Sequence, residues 1–139
     1  MVAKSMVLEW EERYSVGVGL IDQQHQQMFR VINDLVDIIH GVPDTERVAE
    51  LLDAIIRYKR VHFATEERYF EEFGYEGAAE HIAEHRKFDE TLAGIKEKHM
   101  DDTTGLAFEL VDFLEDWLVR HLLHTDQKYK ECFLVHGLK

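Results

Sequence analysis

The clearest structural signal in this chain is the segment VAELLDAIIRYKRVHFATEERYFEEFG, residues 48–74. Its apolar residues recur every three or four positions along its whole length, which is the spacing of one face of an α-helix. Asp44 or Thr45 can cap the start of this helix, and Gly74 can end it. A helix this long with a single apolar face needs other helices to cover that face.

Three further stretches have the same period, and strand-like alternation is missing. Asp22 is the predicted N-cap of the first helix, and Gly41, Val42 and Pro43 end it. The predicted helices cover about residues 20–40, 44–73, 76–99 and 104–132. The short connections between them predict an all-α fold, an up-down-up-down antiparallel four-helix bundle. Residues 1–19 lack a helical period and predict an extended N-terminal arm, which Trp10 and Tyr14 hold against the bundle.

Length and composition narrow the class of protein. The 139 residues suit a single domain covering residues 1–139, and 45 % hydrophobic with 32 % charged residues is typical of a globular protein. A net charge of −12 disfavours nucleic acid and anionic membrane surfaces as partners. No apolar run is long enough to insert into a membrane. Cys132 is the lone cysteine, and no signal peptide is evident, so we expect a cytoplasmic monomer.

Histidines and carboxylates interrupt the apolar faces of all four predicted helices. Burying each of them separately would require a separate partner for each, whereas one shared metal site would satisfy all of them. In an antiparallel bundle, residues equally far from a connecting turn lie at the same level. The distances of these histidines and carboxylates from the turns match to within about one helical turn. We therefore predict that they converge on one layer of the core. The seven residues are His25, His62, Glu66, His81, His85, His121 and Asp126.

The spacing of these residues suits metal ligation on three of the helices. His62 and Glu66 are four residues apart, as are His81 and His85, so each pair projects from one helix face. The fourth helix is less regular. Asp126 follows His121 by five residues, so it must approach the site from the side or after a local widening of the helix into a π-turn. His124, three residues after His121, is a rival ligand that spacing alone leaves open.

The number and type of donors indicate the metal. Zinc takes about four ligands, and calcium and magnesium prefer oxygen to imidazole. Five imidazoles and two carboxylates instead fit two metals about 3.5–4 Å apart, with shared carboxylates and an open position on one metal. Oxidative di-iron enzymes use a richer carboxylate shell and Glu-x-x-His pairs, which this chain lacks. An imidazole-rich shell favours the ferrous state and reversible ligand binding.

Five motifs in order make the chain resemble the bacterial hemerythrins over essentially its whole length. They are Trp10 with the Val16-Gly17-Val18 arm, Ile21-Asp22-Gln23-Gln24-His25, His62-Phe63-x-x-Glu66, His81-x-x-x-His85 and His121-x-x-x-x-Asp126. The resemblance implies a four-helix bundle around a non-haem di-iron centre that binds dioxygen reversibly.

The resemblance also implies a role for each site residue. His81, His85 and His121 would hold the saturated iron. His25 and His62 would hold the iron with the open position. Glu66 and Asp126 would bridge the two iron ions, so that Asp126 and not His124 is the ligand. The residues matching the apolar oxygen pocket are Trp117, Leu118 and Leu122.

From the resemblance we expect an oxygen carrier or store, not an enzyme, with an oxygen-consuming enzyme as a partner. Sensing of oxygen or redox state through a partner is an alternative, as is peroxidase or nitric oxide chemistry at the two irons. The histidines expected to lie outside the site are His40, His99 and His136.

Overall fold

Four long helices form the molecule, which is described here by a computed structural model covering residues 9–41 and 44–138. The four helices are α1 (Gly19–Ile39), α2 (Thr45–Phe73), α3 (Ala78–Lys98) and α4 (Thr103–Arg120). Helix α1 packs against α2 and α4, and α3 packs against the same two helices. No strand occurs within these two ranges. The predicted all-α four-helix bundle is thereby confirmed, and none of the described helices could span a membrane.

The ends of the helices follow from local hydrogen bonding. The Asp44 carboxylate accepts a 3.0 Å hydrogen bond from the Arg47 N–H at the start of α2. The Asp102 carboxylate does the same for Gly105 at the start of α4, at 2.9 Å. Gly74 ends α2 with a φ of 62°, a left-handed conformation that favours glycine. Part of the first predicted connection, residues 42–43, lies outside the described residues.

The prediction that Asp22 caps α1 is wrong. Helix α1 begins at Gly19, so Asp22 lies inside its first turn. Its carboxylate instead accepts hydrogen bonds from the Ser15 hydroxyl at 2.5 Å and from the Val16 N–H at 2.9 Å. Asp22 therefore attaches the preceding segment to the helix. Because the helix has already begun at Gly19, the Asp22 carboxylate is not positioned to serve as its N-cap.

The N-terminal segment lies along the bundle in its described part, from residue 9 onward; residues 1–8 of the predicted arm are outside that part. A short 3₁₀ turn spans Glu12–Tyr14. The rings of Trp10 and Tyr14 pack on Phe29 of α1, with centroid distances of 5.6 and 5.4 Å. These edge contacts attach the segment to the helix.

The chain beyond α4 is not the uniform helix that the sequence predicts over 104–132. A π-helical turn follows at His121–Thr125, then a 3₁₀ turn at Asp126–Tyr129, and then the short helix α5 at Lys130–Val135. Two apolar clusters fill the bundle. The larger lies among α1 to α4, and the smaller joins the N-terminal segment and α1 to the end of α2 and to α5. The polar residues of the core lie between these clusters.

Candidate metal centre

All seven predicted ligand residues meet in the interior of the bundle, and each is at most 2 % exposed. Helices α1, α2 and α3 contribute to the cluster, together with the irregular turns that follow α4. The residues are His25 on α1, His62 and Glu66 on α2, His81 and His85 on α3, His121 in the π-turn and Asp126 at the start of the 3₁₀ turn. So many buried polar groups in one place require mutual compensation or a shared ligand.

The π-helical turn brings Asp126 into this cluster. An α-helix would place a residue five positions after His121 well around the helix, whereas a π-turn closes in about five residues. His121 Nε2 and Asp126 Oδ1 are consequently only 2.8 Å apart. His124, the rival ligand, is exposed to solvent and takes no part in the cluster.

The donor atoms separate into two groups. One group contains His81, His85, His121 and Glu66, and the other contains His25, His62, Glu66 and Asp126; within each, the donor atoms lie within 4.8 Å of one another. Glu66 belongs to both groups.

Asp126 also faces both groups. Its Oδ1 is 3.1 Å from His81 Nε2, while its Oδ2 is 3.0 Å from His25 Nε2. The geometry therefore contains three histidines on one side, two on the other, and two carboxylates that both sides share.

The hydrogen-bonding state of these atoms tests whether metal ions fit. Both oxygens of Asp126, Oε1 of Glu66 and Nε2 of His85 lack a hydrogen-bond partner among the described residues. Glu66 Oε1 is nevertheless only 3.0 Å from His85 Nε2. Buried polar atoms left without partners cost about 1–3 kcal/mol each. Cations coordinated between them would remove this cost, so the residues present fit two metal ions.

The charges of the side chains in the donor cluster balance one another. Although burial opposes a charged imidazole, the Asp126 and Glu66 carboxylates raise the pKa of His81 to about 9. Against the same effect of burial, Asp126 raises the pKa of His121 to about 10. Burial lowers the pKa of His62 to about 3, so this ring is neutral. Despite their burial, the neighbouring histidines hold the pKa values of Glu66 and Asp126 below their usual range.

Acceptors behind the rings fix the orientation of three of the predicted ligand histidines. His62 Nδ1 donates to the Gln24 amide oxygen at 2.7 Å. His85 Nδ1 donates to Glu67 at 2.9 Å, and His121 Nδ1 donates to Glu84 at 3.2 Å. A proton held on Nδ1 leaves Nε2 directed at the centre, as metal ligation requires.

The sequence pattern alone does not mark these acceptors. Glu67 and Glu84 each lie next to a predicted ligand on the polar side of the helix, where carboxylates are ordinary, and Gln24 is a buried amide next to His25. The Tyr129 hydroxyl makes a further contact that the sequence pattern does not mark. It donates a hydrogen bond to Glu66 Oε2 at 2.6 Å. This bond leaves Oε1 as the Glu66 oxygen that faces the other donors.

Aromatic rings stack on three of the imidazoles in the cluster. Phe63 lies 3.7 Å from His85 with nearly parallel planes, and Trp117 lies 4.1 Å from His121. Tyr58 stacks on His62 at 5.3 Å. These contacts restrict ring rotation and exclude water from the edge of the cluster.

Of the predicted oxygen-pocket residues, Leu118 and Leu122 are fully buried in the larger apolar cluster. The ring contacts place Trp117 against His121, a member of the three-histidine group. The remaining histidines lie elsewhere: His99 bonds to Glu109 at 2.6 Å, and His136 bonds to the Cys132 carbonyl oxygen at 2.8 Å.

Comparison with known proteins places this cluster in a family context. Residues 16–133 match the sequence profile of the hemerythrin HHE cation binding domain. A bacteriohemerythrin of Methylococcus capsulatus is 31 % identical over 119 residues, covering 86 % of this chain and 90 % of that protein. A myohemerythrin of Theromyzon tessulatum is 30 % identical over 122 residues, covering 88 % of this chain and 90 % of that protein.

Solved structures give the same result for the fold. A crystal structure of wild-type hemerythrin superposes with a TM-score of 0.81 at 30 % identity. The superposition covers 91 % of this chain and 98 % of the hemerythrin chain.

Proposed function

Because the chain belongs to the hemerythrin family, which is known for oxygen binding at a di-iron site, we propose that it binds dioxygen reversibly and acts as an oxygen carrier or store. The observation that carries this proposal is the pair of buried donor groups that share carboxylates. Two iron ions, when bound there, would supply the redox chemistry that dioxygen binding needs.

The two donor groups are unequal, and this inequality supports ligand binding on one side. His81, His85 and His121 would hold one iron, and His25 and His62 would hold the other, with Glu66 and Asp126 shared. Because one group has a histidine fewer, its metal keeps a position for a small ligand. The open position therefore lies on the side of His25 and His62.

The surrounding residues favour binding over oxidation of a substrate. The protein donors are mostly neutral imidazoles, which stabilise the ferrous state better than a carboxylate-rich shell. The apolar clusters on both sides of the centre keep bulk water out. Leu118, Leu122 and Trp117 form the proposed apolar cover, and a dry pocket slows the loss of a bound ligand to attack by water.

The experiment counts iron and dioxygen per chain after anaerobic loading with ferrous iron. Two irons and one dioxygen per chain are expected for the wild type. His81→Ala and Glu66→Ala should lose iron and lower the melting temperature, because metal binding contributes to folding and the remaining ligands become unsatisfied. The matched control is His40→Ala, an exposed histidine at the end of α1, which should keep both irons. One zinc and no iron in protein expressed with ample iron would overturn the proposal.

A further inference from the structure

One buried hydroxyl beside the centre, that of Tyr58, belongs to neither donor group. The Tyr58 hydroxyl is hidden from solvent and has no hydrogen-bond partner in the part of the chain that the structure describes. A buried hydroxyl without a partner is unfavourable and calls for an explanation. The contrast with Tyr129 is informative, because that hydroxyl is also buried but donates to Glu66. The centre therefore has one tyrosine hydroxyl that is used and one that is free.

The position of Tyr58 directs its hydroxyl inward. Tyr58 precedes His62 by one turn of α2, and its ring stacks on the His62 imidazole at 5.3 Å with an interplanar angle of 17°. Part of the residue lines the cleft between α1 and α2, beside Gln24 and Arg57. Since the residue is half-buried while its oxygen is fully hidden, the oxygen is at the inner end of the side chain.

The electrostatic environment agrees with this direction. Burial raises the pKa of Tyr58 well above its usual value, and the negative charges of Glu66 and Asp126 add to the effect. The hydroxyl forms a hydrogen bond with neither of these carboxylates. With its ring stacked on His62 and its oxygen buried, the hydroxyl remains an unused hydrogen-bond donor on the His62 side of the cluster.

We propose that the Tyr58 hydroxyl donates a hydrogen bond to the small ligand that occupies the open position on the side of His25 and His62. The proposal rests on the proposed function, since it requires a metal with an open position there. The ligand class is a small diatomic or triatomic molecule with a terminal atom that accepts a hydrogen bond. Tyr58 would therefore stabilise the bound ligand and slow its dissociation.

The test uses azide as the probe, binding to the iron-loaded, air-oxidised protein. Tyr58→Phe keeps the ring and its stacking on His62 and removes only the hydroxyl. We expect the azide dissociation constant to rise about three- to tenfold, the range for loss of one hydrogen bond. The change should lie in a faster dissociation rate with an unchanged association rate. Tyr69→Phe is the matched control: that ring packs on Phe73 and Phe133 in the smaller apolar cluster, and its loss of a hydroxyl should leave azide binding unchanged.

A spectroscopic signature separates a hydrogen bond from a packing effect. The azide stretching frequency should shift between H₂O and D₂O in the wild type and lose this shift in Tyr58→Phe. An unchanged azide affinity in Tyr58→Phe, or an isotope shift that persists in it, would overturn the proposal. Association and dissociation rates that rise together would also overturn it, because they would indicate a looser pocket.

Failure of the proposed function is visible separately. Azide binding to the oxidised protein does not require reversible dioxygen binding. If the wild type fails to release dioxygen but Tyr58→Phe still weakens azide binding, the role of Tyr58 stands and the carrier function is wrong. A wild type that binds no azide would contradict the open position and with it the role of Tyr58.

Discussion

Loading the metal-free protein with iron should release protons from two ligand histidines. Without metal, the buried carboxylates of Glu66 and Asp126 need compensating positive charge. The ring of His121, with a pKa of about 10, and the ring of His81, with a pKa of about 9, supply it at neutral pH. A coordinated imidazole cannot keep the proton on its ligating nitrogen, so these protons must leave when the metal binds.

The expected magnitude follows from these two pKa values. At pH 7.5 both His81 and His121 are protonated in the metal-free protein, so about two protons leave per chain on loading. For each proton that metal binding displaces, the apparent affinity for iron rises about tenfold per pH unit. The combined affinity for two ions should therefore rise about 100-fold per pH unit between about pH 7 and 9, and about tenfold per unit from there to about pH 10.

The stability of the metal-free protein should show the reverse dependence on pH. His81 and His121 have folded-state pKa values raised above the usual 6.5. Their contribution to stability is fully present below about pH 6.5 and is lost as the pH rises through about 9 to 10. Metal-free protein should therefore melt at a lower temperature at pH 10 than at pH 7. The metal-loaded protein lacks the stabilising contribution of the two protonated histidines.

Proton release is measured by anaerobic titration with ferrous iron in weak buffer containing a pH indicator. About two protons per chain are expected from the histidines, and deprotonation of a metal-bound water would add a third. His136→Ala is the control, because His136 lies in the C-terminal turn and should not change the count. Release of less than one proton per chain at pH 7.5 would refute the charge balance assigned to the centre.

Three further predictions concern single residues. Tyr129→Phe removes the 2.6 Å bond to Glu66 but keeps the ring, so the free energy of unfolding should fall by about 1.5–3 kcal/mol in urea titrations; an unchanged value would contradict the contribution of that bond. Leu118 is 2 % exposed, so Leu118→Ala should lower the free energy of unfolding by about 2–5 kcal/mol. It should also speed the irreversible oxidation of the oxygen-exposed protein, which is followed by stopped-flow mixing well below the melting temperature. If oxidation is not faster, Leu118 is packing alone and not a barrier to water. Asp126→Ala should lose iron while His124→Ala keeps two irons per chain; the opposite pattern in metal analysis would show that the fourth-helix ligand is wrongly assigned.

Much of this architecture is predictable because helices and buried polar residues leave periodic traces in the sequence. The apolar period of residues 48–74, with Asp44 before it and Gly74 after it, predicts α2 to within a residue at each end. The ligand cluster is detectable because a histidine or carboxylate on an apolar face is unusual. Asp22 shows the limit of this reasoning: a carboxylate near a helix start can bind the preceding segment as well as cap the helix, and only tertiary structure decides between them.

Other features leave a weaker trace or none. The five-residue spacing of His121 and Asp126 calls for a π-turn only once both are assumed to be ligands, because nothing in the sequence of the turn itself demands it. Glu84 lies on a polar helix face, where carboxylates are common, so its bond to His121 is recognisable only in three dimensions. Tyr58 occupies an ordinary apolar position of α2, and only the missing partner of its hydroxyl distinguishes it.

The central claim is that the chain binds dioxygen reversibly at a pair of iron ions. The most direct measurement records the visible absorption spectrum of the iron-loaded protein, first reduced and anaerobic, then exposed to dioxygen, and then returned to vacuum or inert gas. The account predicts a new absorption band on exposure that disappears on removal and returns over repeated cycles, with one dioxygen bound per two irons. A spectrum that does not change, or one that changes once and does not revert when dioxygen is removed, would contradict it.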